Sequence, residues 1–241
     1  MEALSDVELL DRLRGLVQRA RHLDTKQGAK MLYSDLASLS NRVWTVGLNP
    51  GGSHWEPDQW HREDGAHDYR DGYLNQGTAV VRPGGLKLRR QLAAMMRWLG
   101  LEWSETLSLN LVPFRCAKWS EQDLPWRQNA IAFAKDEFWP ALLENRIPRL
   151  VLAFGNDAAA VLRRLLGHTA IRRYSTGWGT VTADVSGDDR TTLLRLPHLS
   201  TFGIFERRSG VGRAELEALR RDPSLERALH ELRGSSKADA T

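Results

Sequence analysis

Cysteine is nearly absent: among 241 residues there is one, Cys116. A single thiol excludes an intrachain disulfide, a cysteine-rich zinc site and a four-cysteine iron–sulfur cluster, so packing has to supply the stability. Long apolar runs are missing as well, with no stretch near the roughly 18–20 residues of a membrane span. The opening MEALSDVELLDRLRGL is charged and amphipathic, unlike a secretory signal. These absences predict an intracellular chain, cytoplasmic and nucleoid-associated, with no membrane partner and no obligate protein partner. Charge of one sign does not dominate either: 34 basic residues against 30 acidic leave a formal net charge of +4. The pI near 9.4 suits a polyanionic partner, and equally an arginine bias in the coding genome.

What is present is a 41% hydrophobic content, enough at this length for one core. The expected organisation is a single domain over 1–233 and a flexible tail over 234–241. Leu4, Val7, Leu10, Leu13, Leu16 and Val17 recur at helical spacing and predict an amphipathic helix over 5–23. Apolar, β-branched runs at 43–48, 107–112, 150–154 and 191–196 predict buried strands. Helical patterns at 86–99, 129–143 and 156–166 lie between them, with another at 214–233, and 171–185 reads as an antiparallel hairpin. Alternation of this kind predicts an α/β class fold, a three-layer α/β/α sandwich around a central, mostly parallel four-stranded sheet.

Ligands in such sheets bind beyond the carboxyl ends of the strands. The four predicted ends read Gly47-Leu48-Asn49-Pro50-Gly51, Asn110-Leu111-Val112-Pro113-Phe114, Phe154-Gly155-Asn156-Asp157 and Pro197-His198-Leu199-Ser200. In this order the chain resembles the uracil-DNA glycosylase superfamily over roughly 40–205. Its mismatch-specific and single-strand-selective branches carry Gly-x-Asn-Pro-Gly, which Gly47 to Gly51 match in full. The superfamily's last motif is His-Pro-Ser or Asn-Pro-Ser; His198-Leu199-Ser200 keeps the ends and lacks the proline. Residues 150–162 look like the strand, glycine and helix of the cysteine-cluster branches, whose cluster this chain cannot house.

The resemblance implies a monofunctional DNA glycosylase that flips out and excises a deaminated or modified pyrimidine, needs no cofactor or metal, and leaves an abasic site in DNA. Breaking an N-glycosidic bond builds positive charge on the sugar and negative charge on the departing base. Asn49 can hold a water over the sugar but cannot take its proton, because an amide does not titrate in the useful range. His198 would donate to the anionic base oxygen, assisted by backbone N–H groups at Gly47 and Gly51. Asn110 can read a pyrimidine edge, and Phe114 and Trp55 are candidate stacking aromatics. Ser200 suits a phosphate contact, Phe202 or Ile204 would fill the gap left by the extruded nucleotide, and Arg207 and Arg208 would grip the backbone. Each has a structural alternative: a loop anchor for His198, a strand-end cap for Asn110, core packing for the aromatics.

The segment 53–85 is long for a loop. It interleaves Trp55, Trp60, Tyr69 and Tyr73 with Asp58, Glu63, Asp64, Asp68 and Asp71. Its His54, His61 and His67 match no compact zinc motif. A roof over the base pocket is the stronger expectation, with Trp60, Asp58 and Tyr73 as candidate contacts to a hydroxymethylated or glycosylated base of phage DNA, which would make the protein an antiphage defence enzyme. No lysine stands in the motifs as a Schiff-base nucleophile, although Lys118 lies close by. Two other classes remain: a non-catalytic nucleic-acid-binding module of the same fold, and an unrelated nucleoside or nucleotide hydrolase.

Overall fold

The computed structural model describes residues 4–51, 55–71, 74–75, 78–79, 87–206 and 212–238. Helix α1 (Asp6–Arg19) opens on a capping box in which Ser5 and Glu8 satisfy each other's backbone N–H groups, and it buries Leu9, Leu10, Leu13, Leu16 and Val17. A 3-10 turn over Arg21–Leu23 completes the expected helical stretch. Val7 is an exception to the apolar face, being exposed.

The strands follow as β1 (Val43–Gly47), the two-residue pair β2 (Leu74–Asn75) and β3 (Thr78–Ala79), β4 (Thr106–Asn110), β5 (Leu150–Phe154), β6 (Arg172–Trp178), β7 (Val181–Gly187) and β8 (Thr192–Leu196). The helices between and after them are α2 (Asp68–Asp71), α3 (Lys87–Leu99), α4 (Leu124–Phe133), α5 (Trp139–Leu143), α6 (Asn156–Leu165), α7 (Arg213–Arg220) and α8 (Pro223–Ala238). Between α4 and α5 the chain widens into a π turn over Ala134–Phe138. Pro140, one turn on, has no N–H to give and crowds the preceding turn.

The main sheet is six-stranded and mixed, in the order β4-β1-β5-β8-β7-β6. The first four strands are parallel, and they are the four read from the sequence. The expected hairpin does not stand apart: β7 pairs antiparallel with β8, so the hairpin continues the same sheet and corrects the four-stranded expectation. Gly179, at positive φ, turns the chain between β6 and β7, and Gly177, also at positive φ, sits at the register irregularity near the end of β6.

Side-chain alternation sorts the parallel strands between two cores. Trp44, Val46, Val151, Ala153 and Leu193 face α1, α4, α5 and α6. Val43, Leu150, Leu152, Phe154, Leu194 and Leu196 face α3, α7 and α8. Strands covered on both faces read as continuous apolar runs, which is why they were visible in the sequence. No helix among the described residues is long and apolar enough to cross a membrane.

Two other expectations change. The tail expected from residue 234 is helical through Ala238, because α8 is anchored by the buried Leu225, Ala228 and Leu229 and its backbone ladder simply propagates. The segment 53–85 is not a free roof over its first half. Residues around Ala29 and Leu32 run antiparallel beside Phe114 and Leu109, and Gln59 and Arg62 bridge onto Lys30 and Asp35 outside them. The inserted chain therefore thickens the β4 edge of the sheet.

Candidate active site

The motif-bearing turns after β1 and β4 are zipped together. Gly47 is the register partner of Asn110, Leu111 N–H donates to the Gly47 carbonyl at 2.8 Å, Val112 N–H to Leu48 at 2.9 Å, and Cys116 N–H to Pro50 at 3.1 Å. This lacing fixes Asn49. Its side-chain nitrogen donates to the Pro50 carbonyl at 2.9 Å and to the Cys116 carbonyl and sulfur at 3.1 Å each. Its Oδ1 meets no donor among the described residues and remains able to accept from a water. Burial pushes the Cys116 thiol up to about 11, so at neutral pH it is a packed, protonated group.

Asn110 is buried at the end of β4, and its Nδ2 donates to the Tyr33 hydroxyl at 2.8 Å. A Cβ on Gly47 would lie 2.2 Å from Asn110 Oδ1, so the first motif begins with glycine because the asparagine of the second occupies the space a side chain would need. Tyr33 stacks on Tyr69 at 5.2 Å with planes 13° apart, and the Lys30 ammonium sits 4.2 Å from the Tyr33 ring centre. Behind them Asp68, fully buried, is paired with both Lys30 and Arg62. Desolvation pulls the Lys30 pKa down to about 8 against the opposing pull of Asp68. The same wall continues through His67, whose Nε2 lies 2.9 Å from Ser108 Oγ, and Ser108 in turn lies 2.5 Å from Thr45 Oγ1.

The loop after β8 carries His198, with Ser200 Oγ 2.6 Å from its Nδ1. The residue is solvent-exposed, yet the protein around the ring desolvates it enough to lower its pKa below the ordinary imidazole value. Leu199, standing where the resembled motif has proline, is fully buried and pegs the loop into the α3-side core. Thr201 and Phe202 N–H groups close a turn onto the His198 carbonyl at 3.0 and 3.1 Å, and Phe205 N–H donates to Gln91 of α3 at 2.8 Å.

No protein-family model and no curated protein sequence matches this chain.

The geometry of the site keeps part of the expected set and moves the rest. Asn49, Asn110, Gly47, Gly51, His198 and Ser200 lie at the carboxyl ends of the parallel strands or in the turns that follow them. Phe114 is instead core: it is wholly buried and meets Phe133 at 5.7 Å between ring centres. Ile204 is 2% exposed and packs in the α3-side core, so it is no intercalating wedge. Phe202 is half-buried, edge-on to Trp178 at 6.3 Å. Trp60 packs toward α1 with the Arg14 guanidinium 5.3 Å from its ring centre. Asp58 is committed to Arg21 and to Ala29 N–H, the latter at 2.9 Å. Trp55 is 65% exposed. Arg207, Arg208, Tyr73 and His54 lie outside the described residues. His61 and His67 turn to different partners, His61 to the Arg62 carbonyl at 2.6 Å and His67 to Ser108 and to Tyr69 N–H.

Sequence reasoning missed Tyr33, Lys30 and the Asp68 cluster. The signal was the short run Ala29-Lys30-Met31-Leu32-Tyr33, whose apolar members are all buried, but five residues with a lysine among them do not announce an extended segment beside β4.

Proposed function

We propose that the protein is a monofunctional DNA glycosylase acting on a deaminated or modified pyrimidine, with the uracil-DNA-glycosylase-like arrangement of site residues. The observation that carries this reading is the pairing of an asparagine held by its nitrogen, with its oxygen open, and a neutral-leaning histidine, each on a turn after a parallel strand. In the reaction the C1′–N bond breaks and its electron pair passes to the base. A water accepted by Asn49 Oδ1 adds to C1′ and its proton is lost to solvent. In the tautomer that lets Ser200 donate to Nδ1, the proton of a neutral His198 is on Nε2, where it can hydrogen-bond the oxygen of the departing base. Desolvation, which disfavours imidazolium, suits this role.

Lys118 is exposed and paired with Glu121 at 2.6 Å, which raises its pKa and keeps it protonated, and Lys30 is buried in its pair with Asp68. This supports simple hydrolysis over a lyase. The non-catalytic binding module is favoured by one fact, that the amide nitrogens of Asn49 and Asn110 both already serve the protein. The experiment that separates the two is a count of abasic sites with an aldehyde-reactive probe. Substrates are uracil-containing oligonucleotides and unmodified, hydroxymethylated and glycosylated phage DNA. We expect abasic sites in at least one, with Asn49→Ala and His198→Ala each slowing their formation by about two to four orders of magnitude while DNA binding persists. Sites in hypermodified DNA alone assign the protein to phage defence, and sites in uracil DNA alone to repair. Binding without any abasic site overturns the glycosylase reading in favour of the module.

A further inference from the structure

A recess of about 370 Å³ opens between α6 and the β6–β7 hairpin. Along β8, Leu194 and Leu196 face α3 and α8, so Leu193 and Arg195 face the α6 side. Ala159 and Ala160 line the recess from α6, and as small residues they leave it open. Asn156 stands one turn before them and Arg163 one turn after, all on the recess.

Three guanidiniums converge there on a single carboxylate, that of the buried Asp184: Arg195 at 2.8 Å, Arg173 at 3.3 Å and Arg163 at 3.7 Å. Arg195 is fully committed, because it also donates to the Thr182 carbonyl at 2.7 Å and hydroxyl at 3.0 Å. The other two are not. Arg173 reaches Asp184 through Nε and has a side chain 68% exposed, while Arg163 has a buried Nε with no acceptor. One guanidinium is enough to neutralise Asp184. A second and third add mutual repulsion and unspent donors, an arrangement that an incoming anion stabilises.

We propose that this recess binds a phosphoryl group, with Arg163 and Arg173 donating to its oxygens while Arg195 holds Asp184 in place to orient them. Guanidinium forks match the spacing of phosphoryl oxygens and keep their charge at any working pH. The group is either an internal phosphodiester of a nucleic-acid strand or a free monoester. The first source rests on the glycosylase reading: Arg195 precedes His198 by three residues on the same chain segment, so a strand whose nucleotide enters the candidate active site can continue over the recess.

The test uses the full chain with two probes, inorganic phosphate and a single-stranded oligonucleotide, against parent and Arg163→Gln/Arg173→Gln protein. At constant ionic strength phosphate is expected to raise the melting temperature of the parent and not that of the double variant. The variant is expected to bind the oligonucleotide about tenfold more weakly, with a salt dependence flatter by about 0.7 in logarithmic slope for the one phosphate lost. Loss of the phosphate response with unchanged oligonucleotide binding keeps the site and assigns it to a free monoester. Weaker oligonucleotide binding by the variant, from a parent that makes no abasic sites, keeps the site and removes the glycosylase reading. If phosphate does not stabilise the parent and oligonucleotide binding is unaltered, the proposal is overturned. Arg173→Gln alone, at an exposed side chain, repeats the measurements should the double variant fold poorly.

Discussion

Replacing Gly47 by alanine tests the contact on which the candidate site is built. The new Cβ would fall 2.2 Å from Asn110 Oδ1 and 3.4 Å from its Cγ, well inside contact distance. Gly47 is not among the glycines at positive φ, so alanine brings no backbone strain of its own and the whole effect has to come from this collision. Asn110 is buried and tied to Tyr33 at 2.8 Å, so it can yield only by breaking that bond. Leaving a buried partner unsatisfied costs about 1–3 kcal/mol, and forcing extra volume into a packed site is of similar size. For a chain of this length that corresponds to a melting temperature lower by about 2–12 °C. Urea unfolding followed by tryptophan fluorescence measures it, in parent, Gly47→Ala, Asn110→Ala and the double variant. Asn110→Ala removes the obstruction, so in that background Gly47→Ala should cost almost nothing, giving a coupling of about 1–3 kcal/mol. Strictly additive effects, or a Gly47→Ala protein as stable as the parent, would refute the argument.

Two other outcomes follow from the same structure. Desolvation, helped by the positive charges of Arg70, Arg62 and Lys30 against the opposing pull of Asp71, brings the His67 pKa down to about 4 from 6.5. The folded state therefore resists a proton that the unfolded chain accepts. This contribution to stability is present above pH 6.5 and is lost as pH falls towards 4, with a slope of at most about 1.4 kcal/mol per pH unit. His67→Gln should flatten that part of the stability–pH curve; an unchanged curve in urea titrations contradicts the assignment. Trp55→Ala, at an exposed ring, should leave stability within about 0.5 kcal/mol and alter only activity on a bulky base. Trp60→Ala should cost about 1–3 kcal/mol, because its ring packs towards α1 under Arg14. Equal melting temperatures for the two variants would count against this division.

The sequence by itself determined the four parallel strands, their connecting helices and the turns that end them. Strands buried on both faces have to be written as uninterrupted apolar runs, and sharp turns after them need glycine, asparagine or proline; both requirements are local. The positions of Asn49, Asn110 and His198 at or just beyond strand ends were legible for that reason. Only the tertiary structure decided which side chains face solvent, ligand or core. Phe114 and Ile204 sit beside motif residues in the chain but point into the two cores, and Trp60 and Asp58 are held by α1 and its following turn, far away in sequence. The β6–β7 hairpin joined the main sheet because an open β8 edge was there to pair with, a fact no local pattern encodes. Likewise Lys30 meets Asp68 from 38 residues away, and Asp184 gathers its arginines from β6, β8 and α6, since charge can be buried only where the fold brings a counter-charge to meet it.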